Sequence, residues 1–402
     1  MGLFHNRKDR KCWFEVQITA TAPYLEGYKL IGMEKPVILF ESYPDFNGSS
    51  LEVYHELIKR GYGEKYEMIW AVYDNFNMHT DMPIVKFFPS KPGTRRSTYV
   101  ESILARTKCI LDSNRYINKT NNAYRFHLRH GCSLKNSASY NQNIGNLDAI
   151  LTTSPEVLSL DKKLFPSSIH SKFIITGMPA TDRLFSPANL YENGLIKELT
   201  GSETKFNKII GWLPTFRDHR YSHYGKNRFQ YGIPAIHNLN EFNATNDVLK
   251  ANNTLLVIQM HHAQAHNYNE LPKASNIVCI GEPIKVKYNI ATTDLLGNCD
   301  AMLTDYSSAY HEYVILNRPI GLCIEDLLDY ATHNGFICFY PDWIKGDYLL
   351  TNQHLNQWIT GIANGADFHK SEREVSLHKI HQYIDNHATQ RVVDYLVKEA
   401  KL

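Results

Sequence analysis

Short apolar runs recur along both halves of the chain, each followed by polar turn residues and then by apolar residues at helical spacing. This alternation is typical of βα units, in which helices cover a parallel sheet. Residues 50–60 give the clearest helix, because their apolar side chains fall mostly on one face and Gly61 follows them. The apolar runs predict strands at residues 36–40, 68–72, 108–111, 149–152, 172–176, 208–213, 254–260, 277–280, 301–303 and 320–323. The chain is therefore expected to have an α/β fold.

The two halves are separated by residues 186–206, a polar stretch with Pro187 and two glycines but no long apolar run. Such a composition favours a domain boundary. We therefore predict two Rossmann-like domains, residues 1–190 and residues 191–402, with their parallel sheets facing a central cleft. The carboxyl ends of the strands would then lie on both sides of that cleft, so the residues that follow the strands are expected to carry the chemistry.

Composition narrows the classes of function. The chain has 43 Lys and Arg residues and 41 Asp and Glu residues, so its formal charge is only +2. This balance gives no support to a protein that binds nucleic acid through general electrostatic attraction. The seven cysteines are scattered and never form CxxC, which argues against a zinc site or a disulfide framework and favours a reducing cytoplasm. No apolar run approaches the length of a membrane span, and the N-terminus lacks the apolar core of a secretory signal. The first residues mix basic and apolar side chains, which predicts either contact with an anionic membrane surface or an ordinary solvated terminus.

The most informative stretch is residues 301–313, AMLTDYSSAYHEY, where an apolar run ends at Thr304 and turns into a predicted helix. A helix start offers unpaired N–H groups and the positive end of the helix dipole, and Ser307 and Ser308 could add hydroxyl donors to a bound phosphate. The alternative is that Asp305 or Ser307 simply caps the helix.

Other strands are followed by polar groups as well. Residues 129–135, RHGCSLK, combine His130, which could accept a proton from a hydroxyl near neutral pH, with Gly131 and Lys135. Residues 214–218, PTFRD, include Arg217, which could clamp a phosphate through two hydrogen bonds. A surface turn and a surface pair between Arg217 and Asp218 are the respective alternatives.

Three further loops leave their roles open. Residues 259–262, QMHH, end a strand, but adjacent histidines on a strand point to opposite faces, so we predict one functional histidine and no metal site. Glu325 and Asp326 could accept hydrogen bonds from a sugar hydroxyl or cap the next turn. Residues 177–182, GMPATD, by themselves predict only a turn and a helix cap.

In their order and spacing these segments resemble the CDP-glycerol glycerophosphotransferase family, the group of teichoic acid polymerases and primases that includes ribitol-phosphate and capsule polymer enzymes. RHGCSLK is similar to the family's WHGTPLK, GMPATD to GYPRND, PTFRD to PTWRD, QMHH to KxHP, and CDAMLTDYSSAYHEY to SDxxITDYSSxxFDF. The resemblance extends over residues 37–340, and five motifs in register make a chance match improbable.

The resemblance implies a GT-B architecture and a transferase without a bound metal or cofactor. An acceptor hydroxyl would attack the phosphorus next to the alditol of CDP-glycerol or CDP-ribitol, and CMP would leave. The acceptor would be a polymer or an undecaprenyl-linked saccharide, presented at the cytoplasmic face of the membrane. The catalytic candidates are His130, as general base or acceptor-site group, and His261, against the donor phosphates. The loops and the resemblance together give these donor-binding candidates: Gly131, Lys135, Pro214, Thr215, Arg217, Thr304, Ser307, Ser308, Glu312 and Asp326.

Three departures from the family pattern fall in the expected site, and two of them change its charge. Ala180 stands where the family has arginine, Gln259 where it has lysine, and Glu312 where it has aspartate. Two positive charges near the donor are therefore missing, and Arg129 and Arg125 are expected to restore charge from the other side of the cleft. The alternatives to alditol-phosphate transfer are a GT-B glycosyltransferase that uses a nucleotide sugar and a non-catalytic member of a polymer assembly complex.

Overall fold

The computed structural model describes residues 35–72, 84–86, 98–114, 117, 122–132, 134–136, 147–168, 170–203, 205–215, 229–259 and 271–402. In these residues the chain forms two parallel sheets, each packed against helices. The predicted α/β fold is therefore confirmed.

The first sheet is built from buried, mostly apolar strands. They are β1 (Val37–Glu41), β2 (Glu67–Val72), β3 (Ile84–Lys86), β4 (Thr107–Asp112), β5 (Tyr124–His127), β6 (Ala149–Thr152) and β7 (Lys172–Ile175). In the described part of the chain these parallel strands lie in the order β3-β2-β1-β4-β5-β6-β7. All residues of β1 are buried, as expected for a strand covered on both faces. The order reverses between β1 and β4, where Leu39 lies opposite Ile110.

The second sheet repeats this arrangement. Its strands are β8 (Lys208–Trp212), β9 (Thr254–Ile258), β10 (Ile277–Cys279), β11 (Ala301–Thr304), β12 (Ile320–Leu322) and β13 (Asp347–Tyr348). Over the described ranges they run parallel in the order β10-β9-β8-β11-β12-β13. The strand order reverses between β8 and β11, which places the loops that follow these two strands side by side.

Several of the helices begin at a capping residue or a proline. The helices are α1 (Gly48–Lys59), α2 (Thr98–Arg106), α3 (Pro155–Leu164), α4 (Leu195–Thr200), α5 (Leu239–Ala251), α6 (Glu282–Lys287), α7 (Thr292–Asn298), α8 (Ala309–Tyr313), α9 (Leu327–His333), α10 (Tyr340–Trp343), α11 (Asn352–Ala363), α12 (Lys370–Ile380) and α13 (Ala388–Glu399). The Ser154 hydroxyl, for example, accepts a hydrogen bond from Val157 N at the start of α3, and Pro155 occupies the first helical position. A 3-10 helix spans Pro179–Phe185.

Helix α13, although last in the chain, packs against α1 of the first half. The Asp182 carboxylate accepts hydrogen bonds from Ala388 N at 3.0 Å and Thr389 N at 2.8 Å, so it caps α13. The hydroxyl groups of Tyr395 and Tyr124 lie 2.7 Å apart. The two halves are thus joined by the end of the chain as well as by the segment after β7, and the division at residue 190 stays a prediction.

The N-terminal residues with mixed basic and apolar side chains lie outside the described residues. Among the described helices, none combines the length and the apolar character needed to span a membrane.

A cavity of about 370 Å³ lies at the amino edge of the first sheet, between Pro36, Lys108 and Tyr124. The amino edge is the opposite side of the sheet from the loops that follow the strands.

The structure contains three strands that the sequence did not predict: β3, β5 and β13. Strand β5 has the sequence YRFH, which alternates aromatic and basic side chains and contains no aliphatic residue. Arg125 and His127 are nevertheless buried. Asp112, the last residue of β4, makes this burial tolerable, because its carboxylate lies 2.8 Å from the Arg125 guanidinium and 2.7 Å from His127 Nδ1. Burial opposes its ionisation, but Arg125 and His127 hold the pKa of Asp112 below its usual value.

Replacing Asp112 with alanine is expected to lower the free energy of unfolding by about 3–5 kcal/mol, because Arg125 would remain buried without this carboxylate. Urea denaturation followed by circular dichroism measures the effect. Asp247 is exposed on α5 and provides the control, since Asp247→Ala is expected to change stability by less than about 0.5 kcal/mol. Equal stabilities for the two variants would contradict this role for Asp112.

Candidate active site

Two loops of the second half meet where its strand order reverses. Pro214 and Thr215 follow β8, and the turn that begins at Asp305 follows β11. The Thr215 backbone N–H donates to Asp305 Oδ1 at 2.9 Å, and the Thr215 hydroxyl donates to the same oxygen at 2.6 Å. Ligands of open parallel sheets bind preferentially at such a reversal. The two loops therefore form the floor of a candidate site.

Asp305 holds the turn after β11 in place. Its side chain is only 1% exposed, and its carboxylate also accepts a hydrogen bond from Ser307 N at 3.2 Å. The Tyr340 hydroxyl donates to the Asp305 carbonyl oxygen at 2.7 Å. The Thr304 hydroxyl donates to the Leu213 carbonyl oxygen at 2.9 Å, which fastens β11 to the loop after β8. The sequence suggested Asp305 only as a helix cap, whereas the structure makes it the link between both loops.

Within residues 301–313, only Ser307, Ser308 and Glu312 are not buried. Ser308 is the N-cap of α8 and Glu312 lies four residues further on, so the two lie on the same helical face. Ser307 Oγ lies 3.4 Å from Ala309 N, a weak version of the cap that was the alternative interpretation. The accessible part of this stretch is therefore made of the polar side chains predicted to bind the donor.

Gly131 brings the first half of the chain against this face. Its φ of +82° lies in the left-handed region, and a Cβ atom added to it would lie 3.0 Å from Ser308 Oγ and 3.4 Å from Glu312 Oε1. Only a residue without Cβ allows the loop to come so close in this conformation. His130 precedes Gly131 and is exposed. The structure thus brings together four predicted site residues from opposite halves: His130, Gly131, Ser308 and Glu312.

Lys135 makes a second contact between the halves. Its Nζ donates to Thr215 Oγ1 at 3.4 Å. The backbone nearby pairs with the second half, since Asn136 N donates to Gly335 O at 3.1 Å and Ile337 N donates to Leu134 O at 2.9 Å. These bonds hold the predicted lysine beside the loop that follows β8.

The expectation that Arg129 and Arg125 restore charge to the cleft is not supported. Arg125 is completely buried against Asp112, so that part of the expectation is wrong. Arg129 is 4% exposed, and its Nη1 donates to Asp161 Oδ1 on α3 at 2.6 Å. This buried pair could not be predicted from the sequence, because Asp161 lies 32 residues away in a helical pattern.

Asp326 is buried, and its Oδ1 accepts a hydrogen bond from the Tyr306 hydroxyl at 2.8 Å. The Tyr306 ring stacks on Tyr330, with 4.1 Å between ring centroids. These contacts support the turn from behind. Contact of Asp326 with the donor stays a prediction.

Glu312 differs from the other carboxylates of the site. Asp305 accepts several hydrogen bonds, whereas the Glu312 carboxylate has no hydrogen-bond or ion-pair partner among the described residues. Glu312 is partly exposed, but desolvation of its carboxylate raises the pKa to about 7. The neighbouring His311 is fully buried, which lowers its pKa to about 3 and keeps it neutral. Glu312 is thus the group of this face that titrates near neutral pH.

The two missing family charges have different surroundings. Ala180 lies in the 3-10 helix after β7, where its backbone N–H is 3.4 Å from Ser49 Oγ. Gln259 Nε2 donates to Thr292 Oγ1 at 2.9 Å, and the same oxygen accepts a hydrogen bond from Lys285 Nζ at 3.0 Å. Lys285 is only 3% exposed and is also paired with Glu282 at 2.7 Å. The Thr292 hydroxyl therefore bridges Gln259 and Lys285. Nothing in the sequence indicated that a lysine lies so close to Gln259.

Two predicted site residues, His261 and Arg217, lie outside the described residues. Their predicted contacts with the donor phosphates stay predictions, as do the roles of the other site residues. The structure shows that described candidates from the two halves lie close together, namely Gly131 with Ser308 and Glu312, and Lys135 with Thr215.

The chain is similar in sequence to known proteins over most of its length. The model of the CDP-Glycerol:Poly(glycerophosphate) glycerophosphotransferase family matches residues 28–398. A teichoic acid poly(ribitol-phosphate) polymerase of Bacillus spizizenii is 24% identical over 265 residues, which cover 64% of this chain and 38% of that protein. A teichoic acid glycerol-phosphate primase of Bacillus subtilis is 26% identical over 252 residues, which cover 62% of this chain and 57% of that protein. The chain thus spans between about a third and three fifths of the length of these relatives.

Solved structures of the wall teichoic acid polymerase TagF have the same fold. A histidine variant of TagF superimposes with a TM-score of 0.72 and 18% identity, covering 91% of this chain and 89% of that chain. The same variant soaked for 15 minutes with CDPG gives a TM-score of 0.71 and 19% identity over the same shares. These similarities confirm the predicted GT-B type of fold.

Proposed function

The chain belongs to the CDP-glycerol:poly(glycerophosphate) glycerophosphotransferase family, and from this premise we propose that it transfers glycerol phosphate or ribitol phosphate from a CDP-alditol to an acceptor hydroxyl. CMP is the second product. The observation that carries the proposal is the contact of Gly131 with Ser308 and Glu312, which sets His130 beside the turn at the strand reversal of the second sheet. The acceptor is a teichoic-acid-like or capsular polymer, or an undecaprenyl-linked saccharide.

In this proposal residues 191–402 hold the donor and residues 1–190 hold the acceptor. The hydroxyl groups of Ser307 and Ser308 donate to the diphosphate, and Pro214 and Thr215 line the nucleotide pocket. Lys135 supplies a positive charge from the opposite half, because its ammonium already reaches Thr215. Hydrogen bonds between charged groups are about twice as strong as neutral ones, so this lysine would contribute strongly to donor binding. Arg217 and His261 are proposed to contact the phosphates because of their places in the family motifs.

The chemical step is a displacement at phosphorus. The acceptor oxygen forms a bond to the phosphorus that carries the alditol, and its proton passes to the imidazole of His130. The bond between that phosphorus and the bridging oxygen breaks, and CMP leaves with the electron pair. Lys135 and the N–H and hydroxyl groups of the turn after β11 stabilise the negative charge that develops. The proposal invokes neither a metal ion nor a cofactor.

The proposed location is the cytoplasm, at the inner face of the membrane where a lipid-linked acceptor is presented. The scattered cysteines agree with a reducing compartment, since those in the described part of the chain form no disulfide. Co-sedimentation with anionic vesicles would detect a peripheral contact.

The test is direct. Purified protein is incubated with CDP-glycerol or CDP-ribitol and with candidate acceptors, and CMP release is followed by chromatography while mass spectrometry determines whether the product gains phosphorus. Acceptor-dependent CMP release with a product heavier by one alditol phosphate is the expected result. A parallel incubation with nucleotide sugars is the control for the glycosyltransferase alternative, because a product that gains sugar without phosphorus would replace the proposal.

A further inference from the structure

We propose that Glu312 takes up a proton when the CDP-alditol binds and then donates a hydrogen bond to the donor diphosphate, so that donor binding is linked to protonation. This rests on the proposed function, because it requires a diphosphate at the turn formed by Ser307 and Ser308. It goes beyond that function by assigning the protonation state in which one side chain binds the substrate.

The position of the carboxylate is the first support. Ser308 and Glu312 share one face of α8, and both are accessible while the residues around them in the stretch are buried. Their oxygens lie 3.0 Å and 3.4 Å from the same point, the position of a Cβ atom on Gly131. A phosphate oxygen that accepts a hydrogen bond from Ser308 therefore lies close to the Glu312 carboxylate.

The lack of a described cation bonded to the carboxylate is the second support. No described side chain or backbone N–H donates to the Glu312 carboxylate, and the guanidinium of the facing loop, on Arg129, is paired with Asp161. Desolvation of the carboxylate alone raises the pKa of Glu312 to about 7. An anion that arrives here raises the pKa further, because like charges disfavour ionisation.

The titratable groups around Glu312 do not change this conclusion. On the facing loop, burial raises the pKa of the Cys132 thiol, which stays neutral. On the same helix and behind it, burial lowers the pKa of His311 to about 3 and that of His381 to about 4, so both imidazoles are neutral as well. His130 is exposed beside Gly131.

A protonated carboxyl group resolves the conflict between two anions. The neutral acid has an O–H donor, which can point at a phosphate oxygen, whereas the ionised form can only accept. The proton comes from the solvent, no covalent bond to the substrate changes, and the proton returns to the solvent when the nucleotide leaves. Donor affinity is therefore expected to fall as the pH rises above the pKa of the free enzyme.

Isothermal titration calorimetry measures this linkage. CDP-glycerol and CDP-ribitol are titrated into the intact chain at one pH in two buffers with different ionisation enthalpies, and the difference in heat gives the number of protons taken up. With a free pKa of about 7, the expected uptake is about 0.9 proton at pH 8 and about 0.1 at pH 6. If only the protonated form binds, Kd is expected to rise about 50-fold between pH 7 and pH 9.

Two variants assign the proton. Glu312→Gln keeps the shape and an N–H donor, so it is expected to bind the donor without proton uptake and with a Kd that no longer follows the pH. Glu374→Gln removes an exposed carboxylate on α12 and is expected to behave like the unmodified protein. Proton uptake that persists in Glu312→Gln would assign the proton to another group, His130 first, and would overturn the inference.

The remaining outcomes separate the inference from the proposed function. If the unmodified protein binds a CDP-alditol without proton uptake at pH 8, the inference is wrong and the proposed function stands. If neither CDP-alditol binds, both are wrong. The measurement on the unmodified protein does not depend on the folding of any variant.

Discussion

Replacing His130 with asparagine is expected to lower kcat for alditol-phosphate transfer by about 10²- to 10⁴-fold, the usual contribution of a positioned general base. His130 is exposed, whereas Arg129 and Cys132 on either side are buried. The flanking residues hold the loop in place, and His130 itself is accessible to solvent. Because little packing is lost with the ring, the melting temperature and the Kd for the donor are expected to stay nearly unchanged. CMP release under saturating donor, with calorimetry for Kd, measures both quantities.

His170 offers a matched control for this substitution. It is also exposed in the first half, in the turn before β7 and away from the loop that carries His130. His170→Asn is expected to leave kcat unchanged. A His130→Asn variant with normal turnover would remove His130 from the proposed chemistry, and a variant that has simply lost donor binding would move His130 from the proton transfer to the donor site.

Replacing Gly131 with alanine is expected to reduce kcat/KM by up to about 10²-fold, the effect of displacing reacting groups by about 1 Å. The new Cβ would lie 3.0 Å from Ser308 Oγ and 3.1 Å from Ser308 Cβ, closer than ordinary van der Waals contact. The loop and the turn must therefore move apart. This motion separates His130 from the proposed diphosphate site without removing any reactive group. Steady-state kinetics with a CDP-alditol tests the expectation.

Gly365 provides a control that distinguishes the effect of steric contact from the effect of backbone strain. Its φ is +83°, nearly the value at Gly131, but an added Cβ would meet nothing within 4 Å. Gly365→Ala is expected to lose about 1 kcal/mol of stability from the left-handed backbone and to keep its activity. If Gly131→Ala is as active as Gly365→Ala, the close approach of the two halves has no role in catalysis.

Several parts of the fold and the site could be predicted from the sequence because their causes are local. Apolar runs such as that of β1 form buried strands wherever a sheet can cover them, and Asn47 or Ser154 begins a helix through a hydrogen bond to a residue close by in the chain. The order of the five motifs predicted the family and the type of fold for the same reason. The motifs are short segments whose residues are neighbours in sequence.

Strand β5 could not be predicted from its neighbouring residues alone. Arg125 and His127 look like surface residues in a short segment, and burying them would be costly without a partner. The partner is Asp112, which lies 13 and 15 residues away and becomes a neighbour only because β4 and β5 pair. Arg129 was assigned to the wrong environment for a related reason, since its partner Asp161 comes from α3.

The sequence alone determined that the chain has two parallel α/β halves, and it indicated which loops carry histidine, lysine, serine and carboxylate groups. Only the tertiary structure decided which of these groups meet: Gly131 with Ser308 and Glu312, Lys135 with Thr215, and Thr215 with Asp305. These pairs are separated by 80 residues or more, so no local pattern encodes them. The physical reason is that the charge and hydrogen bonding of a polar side chain depend on what approaches it through space, and that approach is set by the packing of both sheets.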